Sequence, residues 1–574
     1  MSQSSVPDDW KAISDVKKKA LSDSIPPEWR IPSNILPPDT QLDVTSFPVK
    51  SGWFSEQELE ITAATASSIL ENVHTWKWSA QDVTKAFCKR AAATHQLTNC
   101  LSETLFSSAL SRARELDDHL AKTGSVVGPL HGLPISLKDN FNIIGTDSTV
   151  GFAHWVNKPA THNSALVDQL QDAGAVFYVK TNVPTAMMIA ETVNNVFGRT
   201  TNPLNRNLTS GGSSGGESAL IAFGGSVLGV GTDIVGSLRI PASLTGIFAL
   251  RPSFGRFPTR GAASALAGQE AVHSVNGPMA RGIGEIELFA KTVVGLRPWE
   301  RDPKCVPLPW RSVNVGPKLK LGVMWDDGMV RPTPPIQRAL KEVVEKLRKA
   351  GHEIVDWAPE LHEEALGILV STHRFQHGRA RIDRACRFRD PILDLLQYRR
   401  PTDPREQLKF FTADGGKSLK AILDPVHEPV RPEMAAYNNT AELGVHALWQ
   451  LQMQRSTVCH KYLGRCREAG IDGILCATTP FAGVEHGKFK HVAYTGVFNI
   501  LDYAAISFPC GANVDQALDR ASDGSSPLSD VDRQVQADYD ASAVHGMPMS
   551  LQLVAGRLEE EKVIEMTKVV LKAL

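Results

Sequence analysis

The stretch TSGGSSGGESALIAFGGSVLGVGTDIVGSLRIPA, Thr209 to Ala242, sets six serines among nine glycines in 34 residues. Glycine adopts conformations closed to other residues and lets another group approach the main chain. A flexible linker has a similar composition. The interleaved apolar runs ALIAF and SVLGVG demand burial, which a linker does not. Two chemistries suit such a segment. A phosphate-cradling loop would read G-x-x-x-x-G-K-[ST], but Glu217 stands at the lysine position and an acid there repels phosphate. A nucleophile elbow, G-x-S-x-G, is matched twice, around Ser213 and Ser214. The elbow needs an apolar strand before it and a histidine after it. TTNPLNRNLTS precedes, which is polar and turn-forming, and His545 of AVHGMPM is the histidine best placed by order.

A third reading pairs the stretch with GLPISLKDNF, residues 132–141. With that pairing the chain resembles the amidase signature family of serine hydrolases. HGLPISLKDNF, GAVFYVKTNVP, VFGRTTNP, YTGVFNILDYAAISFP and GMPMSLQLVAGRLEEEKV are similar to family blocks and stand in family order, between about residue 78 and residue 565. IPPEWRIP and the overall layout are most similar to fungal acetamidase-type amidases. The resemblance implies a Ser–Ser–Lys triad: Lys138, a bridging Ser213 held after a cis peptide, and Ser237 as nucleophile. It implies oxyanion-binding amides at Ile234, Val235, Gly236 and Ser237. The substrate contacts expected are Met187, Met188, Gly211, Gly212 and Ser214. No metal and no cofactor are expected. The partner is a small-molecule amide, with room for a homodimer.

That arrangement is chemically coherent. A serine hydroxyl is a weak nucleophile and needs a base. A lysine serves as base only when neutral, which burial favours. The run LPISL would bury the stem of Lys138, while Asp139 beside it would raise the lysine pKa unless it points away. Activity is therefore expected to rise toward alkaline pH, whereas a histidine base would titrate near 6.5. One position departs from the resemblance: DIVGS stands where the family has DIGGS, which puts Val235 in the oxyanion loop. Valine disfavours positive φ, so it either strains the loop or narrows the acyl pocket.

Plainer roles exist for each residue. Lys138 could be a surface lysine at a strand end. Ser213 and Ser214 could bond local backbone in a turn, and Ser237 could cap a helix. Met187 and Met188 could simply fill core. Arg239 is expected to brace the loop rather than touch substrate. THRFQHGRARIDRACRFR, residues 372–389, reads as a solvated or salt-bridged helix.

The elements that would hold the site follow from periodicity. Residues 1–55 are proline-dotted and read as a surface arm, and 55–121 show helical spacing. GLPISLKDNF reads as a strand, NSALVDQLQDAGAVFYVKTN as helix, stop and strand, and GPKLKLGVMW opens a second such passage. Alternation of this kind predicts an α/β fold. The expectation is a single large α/β/α domain around a mixed, mostly parallel sheet. Residues 1–77 form an arm and helical extension, 78–565 the signature domain with a variable 360–470 region, and 566–574 a helix end. DQALDRASDGSSPLSDVDRQVQADYD is expected to be an exposed loop.

The formal net charge of −1 gives no general attraction to nucleic acid or to anionic membrane. Eight scattered cysteines without C-x-x-C spacing argue for reduced thiols in an intracellular, cytoplasmic protein. The N-terminus lacks a secretory apolar core, and no spanning helix is expected. The expected function is hydrolysis of a neutral carboxamide through an acyl-enzyme. Two alternatives are a weakly active or non-catalytic binder disabled by Val235, and the transamidating subunit of a complex. Alanine substitutions separate the triad from the elbow. Ser237→Ala should cut turnover about 10³- to 10⁶-fold with folding intact, whereas the elbow expects that loss from Ser214→Ala.

Overall fold

The computed structural model describes residues 9–369, 410–437, 441–521 and 526–574. The arginine-rich segment 372–389 lies outside the described residues. Eleven strands form one sheet. In chain order they are β1 (Leu101–Thr104), β2 (Pro134–Lys138), β3 (Val176–Thr181), β4 (Leu228–Asp233), β5 (Phe248–Arg251) and β6 (Val275–Ala280). They continue with β7 (Lys320–Met324), β8 (Glu353–Asp356), β9 (Gly473–Ala477), β10 (Ala505–Asn513) and β11 (Pro548–Val554). Their order across the sheet is β1-β3-β2-β4-β6-β5-β10-β11-β9-β7-β8.

The α/β class and the mixed sheet are as expected, but the sheet is not mostly parallel. Four strand pairings are parallel, β2 with β3 and β4, and β7 with β8 and β9. Six are antiparallel, at β1 and through the middle of the sheet. Buried apolar strands read alike in sequence whichever way their neighbours run. Two groups of helices pack among themselves and against the sheet. One contains Ala80–Thr98, Gly215–Ala222 and Arg239–Thr245; the other contains Ile283–Gly295, Pro334–Lys349 and Glu560–Ala573.

Two segments differ from expectation. The arm contains a helix, Trp10–Asp23, that buries Ile13, Lys17 and Leu21. Lys17 forms buried ion pairs with Glu103 and, at 2.7 Å, with Asp147. Trp29 follows, packed edge-on against Phe106 at 5.1 Å. The polar stretch after residue 515 contains the helix Asp530–Ala537, capped by Ser529.

The parallel trio β3-β2-β4 positions the chemistry. Leu137 of β2 pairs with Val230 of β4, and Lys138 pairs with Thr181 of β3. Lys138, Thr181 and Asp233 thus end three adjacent parallel strands, the edge where open α/β sheets bind ligands. The helix Gly215–Ala222 lies close to these ends because Gly216 has no side chain. A Cβ there would meet the backbone N and O of Asn182 at 2.5 Å. In an ordinary helix Gly→Ala stabilises by about 1 kcal/mol. Gly216→Ala should instead destabilise, by about 1–3 kcal/mol as expected for overpacking, read as a lower urea midpoint.

Candidate active site

Lys138 ends a strand in which every residue is buried. Its Nζ donates to Ser213 Oγ at 2.7 Å and to Thr232 Oγ1 at 2.6 Å. Burial brings its pKa down to about 7, against the opposing pull of Asp233, Glu217 and Asp139. Asp139 does turn away: its Oδ2 accepts from Val150 N at 2.6 Å and from Thr149 Oγ1 at 3.1 Å. Glu217 is buried beside the hydroxyls of Ser136 and Thr181, and burial raises it to about 7 despite those bonds and Lys138. A lysine titrating this low moves the expected alkaline rise to neutrality. The pH profile alone then no longer separates lysine from histidine.

Ser213 follows a cis peptide after Gly212. Ser213 and Ser237 line one cavity of about 170 Å³, together with Thr232, Asn140, His273 and Asn276. A second, apolar chamber of about 80 Å³ joins it at Met187, Met188, Ile234 and Ser237. Gly212 borders the apolar chamber, and Met187 and Met188 line both. Gly211 and Ser214, expected as substrate contacts, border neither. Gly211 packs against Pro241. Ser214 exchanges 3.3 Å hydrogen bonds with the backbone of Thr232. His545 is exposed and borders neither cavity, so it does not complete the elbow; the histidine that lines the polar cavity is His273.

The loop after β4 is set by one buried ion pair. Asp233 Oδ2 accepts from Arg239 Nε at 3.1 Å, with both side chains fully buried. Asp233 also accepts from Asn499 Nδ2 at 2.8 Å and from the N–H groups of Gly236 at 2.7 Å and Leu238 at 3.3 Å. Burial alone would raise this carboxyl, but Arg239 and its other donors hold it at about 2. Arg239 reaches on to Gln552 at 3.0 Å and Asn499 at 2.6 Å, a brace as expected.

Gly236 was expected among the oxyanion donors, but Asp233 takes its N–H. The N–H groups of Ile234, Val235 and Ser237 meet no acceptor among the described residues. The left-handed conformation falls on Gly236, at φ 127°, and not on Val235. Glycine is required at 236, where a Cβ would sit 2.7 Å from Thr495 Cβ. Valine at 235 carries no such strain. Its carbonyl accepts from Thr495 Oγ1 at 2.6 Å, and its side chain borders the apolar chamber.

Sequence reasoning missed Thr232, Thr495 and Asn499, as well as Leu369 and Phe411 of the chamber wall. The first three lie inside the blocks that carry the resemblance, but nothing in their types marks them. No group of three or more metal-binding side chains occurs among the described residues. No described helix is long and apolar enough to cross a membrane.

Fold and site together define an α/β enzyme with a buried lysine–serine contact at the strand ends. The sequence pattern of the family described as Amidase matches residues 82–564. The chain is 37% identical over 585 residues to an acetamidase of Emericella nidulans, covering 99% of each. It is 36% identical over 581 residues to an acetamidase of Aspergillus oryzae, covering 98% of this chain and 99% of that one. A solved fatty acid amide hydrolase superposes with a TM-score of 0.87 at 30% identity, covering 98% of this chain and 94% of that one. The chain belongs to the amidase family, hydrolases acting on amide C–N bonds.

Removing Asp233 tests the loop. Asp233→Ala leaves Arg239 buried and unpaired, which typically costs about 3–5 kcal/mol. Urea denaturation should show that loss, and Asp233→Asn a smaller one.

Proposed function

We propose that this chain hydrolyses neutral carboxamides through an acyl-enzyme on Ser237, with Ser213 and Lys138 as its proton relay. The observation that carries this is the 2.7 Å contact between Ser213 and a fully buried lysine whose pKa lies near neutrality. Neutral Lys138 accepts the Ser213 proton across that contact, and Ser213 accepts the proton of Ser237 as its Oγ attacks the carbonyl carbon. Thr232 fixes the ammonium through its second bond. The N–H groups of Ile234, Val235 and Ser237 supply donors for the tetrahedral oxyanion. The relay run backward protonates the leaving nitrogen, and water then attacks the ester by the same path. The apolar chamber suits the acyl group, and the polar cavity suits the amine and the water. The acetamidases among the relatives make short aliphatic amides the first substrates to try. An intracellular setting fits the unpaired state of the seven described cysteines.

A serine-directed fluorophosphonate should label Ser237 in the wild type and leave Ser237→Ala unlabelled; adduct on Ser214 or no adduct would overturn the proposal. The pH profile provides a second test. Lys138 is protonated and inactive below its pKa, so kcat/KM should rise with pH and level off just above about 7. Glu217 pulls the lysine upward. Glu217→Gln should therefore move the rise to lower pH, and His545→Ala should leave it in place.

A further inference from the structure

Val235 borders the apolar chamber, and Gly496 backs it from behind the lining. Gly496 lies inside the helix Ala493–Ile500, where glycine is ordinarily a poor choice. A Cβ built there would come 3.0 Å from Val235 Cγ1 and 3.3 Å from Leu369 Cδ1. The missing side chain is the space that the valine uses. Thr495, the preceding residue of the same helix, holds the Val235 carbonyl at 2.6 Å, so the backbone at Val235 cannot move away from this helix without breaking that bond. Backbone strain is not involved, because the positive φ belongs to Gly236.

Given the amide-hydrolysing reading above, we propose that Val235, seated against Gly496, is a specificity-determining residue that closes the chamber to all but short aliphatic acyl groups. Among the described residues the rest of the wall is mostly apolar, with Ile189, Ile240, Leu369, Phe411 and Val492, which offers little to a polar acyl substituent. The chamber measures about 80 Å³. A dry apolar cavity of about 150 Å³ is one that takes benzene. Roughly half of that volume admits a few methylene groups and excludes an aryl ring. The substrate class is therefore amides of small, unbranched, apolar acids.

The test compares kcat/KM for acetamide, butyramide, hexanamide and benzamide. The proteins are the wild type, Val235→Ala, Val235→Gly, Gly496→Ala and Val235→Gly/Gly496→Ala. The readout is the hexanamide-to-acetamide ratio, which cancels any general loss from altering the oxyanion loop. Fitting or refusing one methylene changes specificity about 10- to 200-fold. The ratio should rise at least tenfold in Val235→Gly and less in Val235→Ala. It should fall in Gly496→Ala, where the new methyl pushes the valine inward. The double variant should lie closer to the wild type than Val235→Gly does, because the methyl at 496 refills part of the slot. A ratio unmoved in both Val235 variants, or a wild type that prefers hexanamide or benzamide, overturns the proposal. A folded wild type that hydrolyses none of the four overturns the amide-hydrolysing reading itself. That failure is distinct from an active enzyme whose ratio does not move.

Discussion

The site depends on a single carboxylate. Asp233 ends β4, and from that position it collects Arg239, Asn499 and the N–H groups of Gly236 and Leu238. The two N–H groups and Arg239 fold the loop that carries Ser237 back onto the end of β4, and Asn499 ties it to the helix Ala493–Ile500. Arg239 extends the tie to Gln552 of β11, which itself accepts from that guanidinium and donates to the carbonyls of Ala477 and Tyr494. A buried ion pair of this kind is a poor source of net stability, since desolvation offsets most of its attraction. Its value here is conformational. By taking the Gly236 N–H it bends the chain at a glycine and leaves three neighbouring N–H groups unspent.

A low lysine pKa surrounded by carboxylates needs an explanation. Three acids lie close enough to pull Lys138 upward. Each is occupied elsewhere. Asp139 is taken up by the backbone of Val150 and the hydroxyl of Thr149. Asp233 is matched by Arg239. Glu217 is bonded by hydroxyls and is itself raised by burial, so near neutrality its charge is incomplete. What remains next to Nζ is two hydroxyl oxygens. Dehydration then outweighs attraction, and the amine can give up its proton.

The legible parts of the sequence were those whose pattern is local or whose blocks are long. GLPISLKDNF and GAVFYVKTNVP read as strands because of their short apolar runs, although Ser136, Lys138, Lys180 and Thr181 are buried with them. The direction of the central strands was not legible, because orientation is set by connections and not by composition. The loop after β4 was recognisable, yet its details were assigned one residue off: the departure at Val235 drew the argument, while the residue that needs glycine is Gly236. Ser214 and Gly211 looked like ligand contacts because they sit beside Ser213, but adjacency in a turn sends successive residues to different surroundings. The helix Trp10–Asp23 was hidden for another reason. Its buried stripe runs Ile13, Lys17, Leu21, and a lysine breaks an apolar pattern unless its partners are known.

Those partners lie far along the chain. Lys17 is matched by Glu103 and Asp147, 86 and 130 residues later. The Lys17 side chain of this helix can be seated only where Glu103 and Asp147 have been brought together. Until then the segment, which carries Lys11, Lys17, Lys18 and Lys19, is suited to water. The same charge disguises the helix as a surface arm. Only the Lys17 charge is neutralised inside the protein, by two acids that are themselves costly to bury alone. Arm and domain each supply what the other lacks, so Ile13, Lys17, Leu21, Ile25 and Trp29 belong to the domain's interior.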